Sequence, residues 1–175
     1  MKYTRKNIFL FLFIFIGIAC GETENKTAPV NTSQNVSSQI TPQIDYTVTA
    51  YYPHSTDAFT EGLLFYNGLL YESTGSPDEL PKSLSAIVST NLTIGKTEVK
   101  TTLDRTKYFG EGMAFLNDKC YQLTYKNQLG FIYDANSFKK LGEFSYPNKE
   151  GWGMTTDSHF LIMSDGTATS LTLIL

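Results

Sequence analysis

The sequence predicts an all-β protein built as a β-propeller of four-stranded blades, and three observations predict it. Aromatic residues make up 14% of the chain, and Thr, Ile and Tyr recur in short runs, a composition that favours strands. A segment headed by a glycine pair partner comes back three times: "EGLLFYNGLLYEST" from Glu61, "EGMAFLNDKCYQLT" from Glu111 and "WGMTTDSHFLIMSD" from Trp152. Its glycines, Gly62, Gly112 and Gly153, are separated by 50 and 41 residues, close to the period of propeller blades.

Each copy reads as two short strands around a tight turn. An apolar residue follows the glycine at once (Leu63, Met113, Met154). Turn formers come next at Asn67-Gly68, Asn117-Asp118 and Ser158-His159, and the apolar pattern returns at Leu70, Cys120 and Leu161. After the first copy, "SLSAIVSTNLTIGKTEVKTTL" supplies two more strands. After the second, "LGFIYDANSFKKLGEFSY" does the same, with Asp134-Ala135-Asn136 as its turn. Each unit therefore holds about four strands in roughly 40 to 50 residues. A sandwich also repeats short strands, but gives no reason for "EG" or "WG" to head every unit. In a propeller the innermost strand of each blade starts near the central channel, which would gather Glu61, Glu111 and Trp152 around one mouth.

The first part of the chain is of a different kind. "MKYTRKNIFLFLFIFIGIAC" begins with Lys2, Arg5 and Lys6, then runs apolar for twelve residues from Ile8 to Ala19 before Cys20. That run is too short for a span needing about 20 residues, and the pattern is that of an export signal. Cysteine directly after "GIA" resembles the lipobox of bacterial lipoproteins, with Gly17 departing from the usual leucine. The expected organisation is a signal peptide over 1–19, a tether over 20–44 starting at a lipidated Cys20, and a partial propeller over 45–175. The tether, "GETENKTAPVNTSQNVSSQITPQ", is polar and without hydrophobic period, and cannot bury enough apolar surface to offset its ordering entropy. A lipid on Cys20 would make this an exported protein anchored to a membrane without crossing it.

Charge and cysteine content narrow the partners. The three positive charges of the leader, once removed, take the formal charge from −3 to −6, which argues against nucleic acid. With Cys20 consumed by lipidation, Cys120 is left without a disulfide partner, on an apolar strand position. Two histidines, His54 and His159, make no histidine-rich zinc site.

The wording of the repeats carries a resemblance. "PHSTDAFTEGLLFYNGLLYESTG", "YFGEGMAFLNDKCYQLTYKN" with "GFIYD", and "EGWGMTTDSHFLIMSDG" resemble, in order, the plant and bacterial type of glutaminyl-peptide cyclotransferase. The similarity runs from about Tyr46 to Leu171. It implies a five-bladed propeller that converts the N-terminal glutamine of a peptide or protein to pyroglutamate, releasing ammonia, without a metal or other cofactor. Glu111 of "YFGEG" sits where the family has its acid/base glutamate. Phe59 and Phe109 match pocket aromatics, and Trp152 matches a substrate-packing tryptophan. Glu61 stands where many members read "FTQG", and Tyr125 where many read "QLTW"; both are expected at the substrate. About three blades lie between Tyr46 and Leu175, so the resemblance implies a C-terminally truncated propeller. In such propellers an N-terminal strand, here "YTVTAYY", completes the last blade, and here it would lack a partner, leaving an open edge.

The chemistry has a physical reason to want Glu111. The nucleophile is the peptide's own α-amine, whose pKa of about 7.7–8.0 leaves it mostly protonated at neutral pH. A carboxylate within hydrogen-bond reach can take that proton and later return one to the leaving ammonia. Gly110 and Gly112 allow close approach, and desolvation between Phe109 and Trp152 should raise the pKa of Glu111. A second carboxylate at Glu61 would couple the two titrations and favour the substrate's ammonium form. On the residues alone, both glutamates read equally well as polar turn residues heading exposed strands. A different function also fits: an inactive, membrane-anchored propeller that binds peptides or proteins. A hydrolase or dehydrogenase does not, since the chain has neither a histidine cluster nor a glycine-rich cofactor loop, and "SDG" at 164–166 is too short to mark a nucleophile.

Overall fold

The computed structural model describes residues 42–174. The leader, Cys20 and the tether as far as residue 41 lie outside that range. Among the described residues every regular element is a strand. The first sheet holds β1 (Phe59–Tyr66), β2 (Leu69–Gly75), β3 (Ala86–Asn91) and β4 (Lys96–Thr102) in that order. The second holds β5 (Gly110–Leu116), β6 (Lys119–Thr124), β7 (Leu129–Asp134) and β8 (Lys140–Ser145). The third holds β9 (Met154–Thr156), β10 (Leu161–Ser164) and β11 (Ser170–Leu173). All pairings join sequence neighbours antiparallel. These are the up-and-down meanders of propeller blades.

The turns explain why the strands stop where they do. Asn67 (φ 48°) and Gly68 (φ 78°) both adopt the left-handed conformation of a two-residue hairpin, as do Asn117 (φ 50°) and Asp118 (φ 56°). Elsewhere a carboxylate folds back on its own loop. Asp134 Oδ1 accepts the backbone N–H of Ser137 at 2.8 Å, and Asp157 Oδ1 accepts that of Phe160 at 2.7 Å. Asp134 therefore ends β7 as a strand residue, and the turn itself is Ala135–Ser137, one residue later than the sequence suggested.

Blades stack through their faces. Tyr71 and Ile87 of the first meet Met113, Phe115, Cys120, Phe131 and Tyr133 of the second in one core. Within it the Tyr66 and Phe115 rings lie parallel, with centroids 3.9 Å apart. Ala114, Tyr121, Leu123 and Phe144 of the second blade meet Leu161, Met163 and Leu173 of the third in another. Cys120 is fully buried in the first of these cores, and burial pushes its thiol far up, as befits a packing residue and not a nucleophile. Leu64 and Tyr66 of β1 pack against the first core, while the alternate positions Leu63 and Phe65 are exposed.

The inner strands β1, β5 and β9 come within backbone contact, which gives the recurring glycine its physical meaning. A Cβ on Gly62 would stand 3.1 Å from the Met113 nitrogen. One on Gly112 would stand 2.4 Å from both the Met154 nitrogen and the Trp152 oxygen. In place of a side chain, the Gly112 N–H donates to the Trp152 carbonyl at 2.8 Å, joining the second blade to the third.

Two features differ from the simplest reading of the repeat. The third sheet has three strands among the described residues, not four. The segment "YTVTAYY" (Tyr46–Tyr52) forms no ladder among the described residues, and its residues are exposed.

Gly112→Ala is expected to lower the melting temperature by the equivalent of roughly 1–3 kcal/mol, because the seam between blades has no room for a methyl group. Gly142→Ala, where an added Cβ meets nothing within 4 Å, should leave it nearly unchanged. Thermal unfolding followed by circular dichroism compares the two.

Candidate active site

Phe59, Glu61, Phe109, Glu111, Tyr125 and Trp152 line one cavity of about 490 Å³, together with Gly153. All six residues singled out in the sequence for reaction or substrate thus share one space.

Both glutamates are delivered by backbone irregularities. On β1 the pairing with β2 slips between Thr60 and Gly62, so Glu61 has no partner in the ladder. On β5 the pairing with β6 slips between Gly110 and Met113, and Glu111 is freed likewise. Such bulges bend a strand and re-aim a side chain. At Glu111 the bend is held by a buried polar chain. Ser73 Oγ donates to the Glu111 carbonyl, Gln122 Nε2 donates to Ser73 Oγ at 2.9 Å, and Tyr133 OH donates to Gln122 Oε1 at 3.4 Å. Gly110 leaves space for this chain, since a Cβ there would sit 2.5 Å from the Thr74 oxygen and 2.9 Å from Gln122 Nε2.

The aromatic walls rest on glycines. Phe109 meets Phe59 edge to face at a centroid distance of 6.0 Å, and meets Tyr125 at the same distance. Its ring covers Gly75, where a Cβ would fall 2.1 Å from ring carbons. Trp152 covers Gly166 (φ 77°) in the same way, and its Nε1 donates to Glu150 at 3.0 Å. Glu150 also lies 3.7 Å from Lys126 Nζ, and that ammonium sits 4.4 Å from the centre of the Tyr125 ring. With 43% of its surface exposed, Trp152 is the rim of the cavity and not its floor.

Glu111 is 6% exposed. Burial is the largest cause that pushes its carboxyl up to about 8; the charge of Glu61, a hydrogen bond with Glu61 and the charge of Glu150 add to it. Burial also raises Glu61, while its hydrogen bond with Glu111 works the other way. The two carboxyls line the same cavity, and each bears on the titration of the other. Close by, the Tyr146 phenol is pushed up by burial and by the charge of Glu111, and donates to the Thr124 carbonyl.

Sequence reasoning missed the residues that support the site: Ser73, Gln122, Glu150, Gly75 and Gly166. For the glycines a signal existed. Gly75, Tyr125 and Gly166 each follow the mouth residue of their repeat by fourteen positions, so the repeat places them alike at the end of the second strand. A smaller cavity on the first blade contains His54, whose Nε2 lies 3.0 Å from the buried Glu72 carboxylate. That pair, with Thr60 also donating to Glu72, fastens the segment entering β1.

Comparison with known proteins agrees with this architecture. The chain matches the glutamine cyclotransferase family over residues 21–174. It is 40% identical over 123 residues to a glutaminyl-peptide cyclotransferase of Arabidopsis thaliana, a stretch that covers 70% of this chain and 37% of that protein. The crystal structure of Myxococcus xanthus glutaminyl cyclase is similar with a TM-score of 0.55 and 29% identity, over 69% of this chain and 48% of that one. The chain therefore spans less than half the length of these relatives.

The raised carboxyl has a consequence for stability. The folded protein keeps a proton on Glu111 that the unfolded chain releases near the ordinary value of 4.5, so the contribution is present at low pH and fades as pH rises towards 8. Relative to Glu111→Gln, the wild type should lose roughly 1.4 kcal/mol of stability per pH unit over that window. Urea unfolding of both proteins from pH 5 to pH 8 measures the difference, which stays constant if Glu111 ionises normally.

Proposed function

The chain belongs to the glutamine cyclotransferase family, and from that premise we propose that its cavity converts the N-terminal glutamine of a peptide or protein to pyroglutamate, with release of ammonia. The observation that carries this reading is the convergence of all six sequence-selected residues, two carboxyls among them, on one cavity.

The proposed work of each group follows from its surroundings. Phe59, Phe109, Tyr125 and Trp152 form apolar walls that hold the glutamine side chain curled against its own amine, supplying the proximity cyclisation needs. Glu111 is the acid/base group. Its carboxyl, pushed up to about 8, is matched to an α-ammonium of about 7.7–8.0, so a proton passes between them at little energetic cost. Glu61 meets the substrate from the neighbouring blade. The proton transfers use carboxyl chemistry alone.

A second reading is a peptide-binding module without chemistry, which the same aromatic-walled cavity would serve. Turnover separates the two, because a binder releases no ammonia. For location, the basic start, the twelve-residue apolar run and the cysteine after "GIA" support an exported lipoprotein of bacterial type, anchored through Cys20.

The full chain is expected to release ammonia from a glutamine-initiated peptide, and Glu111→Gln to lower kcat by about 10²–10⁴; equal rates for both proteins would remove Glu111 from the mechanism. Cys20→Ala should shift the protein from the membrane to the soluble fraction on expression in a bacterial host, as fractionation and immunoblotting would detect.

A further inference from the structure

We propose that Glu61 is a second catalytic carboxyl: it and Glu111 hold one proton between them, Glu61 acting as the base towards the substrate's α-ammonium and Glu111 as the acid towards the departing ammonia. The inference rests on the cyclotransferase reading of the cavity and divides between two residues what that reading assigns to one.

The geometry builds the pair deliberately. Glu61 and Glu111 occupy the same position of successive repeats, each immediately before the glycine of an inner strand. Each is released from its ladder by a bulge. The bare Gly62 allows β1 to approach the β5 backbone so closely that a Cβ would lie 3.1 Å from the Met113 nitrogen. Both carboxyls then face one cavity walled by aromatics. Two carboxylates sharing a site and shielded from water do not both ionise.

The surroundings decide which one keeps the proton. Glu111 is almost fully buried and faces Glu61, Glu150 and the Tyr146 phenol, none of which carries positive charge. Lys126 is engaged with Glu150, 3.7 Å away. Glu61, only half-buried, bears the negative charge at lower cost. The direction of both titrations agrees, each raised by burial and Glu111 raised further by its neighbour.

The reaction balances on this pair. The ionised Glu61 takes a proton from the α-ammonium, freeing the amine. The amine attacks the γ-carboxamide carbon, and a C–N bond forms as the carbonyl π electrons move to oxygen. Glu111 protonates the amide nitrogen, and ammonia leaves as the carbonyl re-forms. The ring nitrogen gives its extra proton to Glu111, restoring the acid, and Glu61 returns its proton to water. One ammonium-terminated glutaminyl peptide has become one pyroglutamyl peptide, one ammonia and one proton.

The test is the kcat–pH profile and the titration of ¹³C-labelled glutamate carboxyls by NMR, for wild type, Glu61→Gln and Glu61→Asp, with peptide saturating so that its free amine does not enter. The wild type should show two linked carboxyl steps, the lower raised above the ordinary 4.5 and the upper near pH 8, with kcat falling above the second. In Glu61→Gln the Glu111 step should move to lower pH, the fall in kcat should move with it, and kcat at pH 7 should drop roughly 10- to 100-fold. Glu61→Asp should keep the alkaline fall. An unmoved Glu111 step, or a wild-type kcat that rises only through pH 8, overturns the proposal. So does a wild-type Glu111 step below pH 5, a result available even if neither variant folds. Absence of ammonia from every glutamine-initiated peptide overturns the cyclotransferase reading and the proposal with it. Turnover with superimposable profiles overturns the proposal alone.

Discussion

The structure depends on backbone-to-backbone contact between the inner strands of neighbouring blades. Side chains normally keep adjacent sheets about 10 Å apart; at the heads of β1, β5 and β9 that separation collapses, because Gly62 and Gly112 present no Cβ. The Gly112 N–H closes the gap onto the Trp152 carbonyl. From this contact follow the convergence of three strand heads and the cavity they line. Polar backbone groups brought into so dry a place need partners, and the Gly112–Trp152 bond satisfies a donor and an acceptor together.

The same closeness sets the electrostatics. A carboxyl on each of two neighbouring strand heads cannot avoid the other, and the aromatic rings around them keep water from screening the repulsion. The folded protein carries this as strain against ionisation at Glu111. It is held against that strain by the Ser73–Gln122–Tyr133 chain, which fixes the backbone at the point where the side chain would gain most by swinging into solvent. Stability and proton affinity are thus two faces of one arrangement.

Much of this was legible in the sequence because the repeat is written at two scales. The 50- and 41-residue spacings reveal the blades, and the glycine within each copy reveals where blades meet. Asn67-Gly68 and Asn117-Asp118 announce their hairpins through residues that tolerate positive φ. Phe59, Glu61, Phe109, Glu111, Tyr125 and Trp152 were found through motifs, and the cavity unites them. What stayed hidden was support across blades. Gln122 reads as an ordinary polar residue in a strand, yet it is fully buried against Ser73 of another blade, a relation no local pattern expresses. Glu150 looks like a loop charge until the Trp152 indole is seen donating to it. That the third sheet holds three strands among the described residues was likewise hidden, since the pattern of short strands says nothing of how many a given sheet collects.

The bulge at Gly62 and that at Gly112 separate two kinds of obligation. The glycine answers to the fold, since the next blade stands too close for a Cβ at Gly112 and leaves little room for one at Gly62. The residue before it answers to the mouth alone, having no partner in the ladder of β1 or β5. Mutation can therefore explore that one position in each blade while the scaffold beside it stays fixed. A carboxyl in one blade, a second carboxyl in another and an indole in the third are three settings of a single adjustable slot. An architecture of this kind lets selection retune chemistry blade by blade, without first having to reinvent the wheel that carries it.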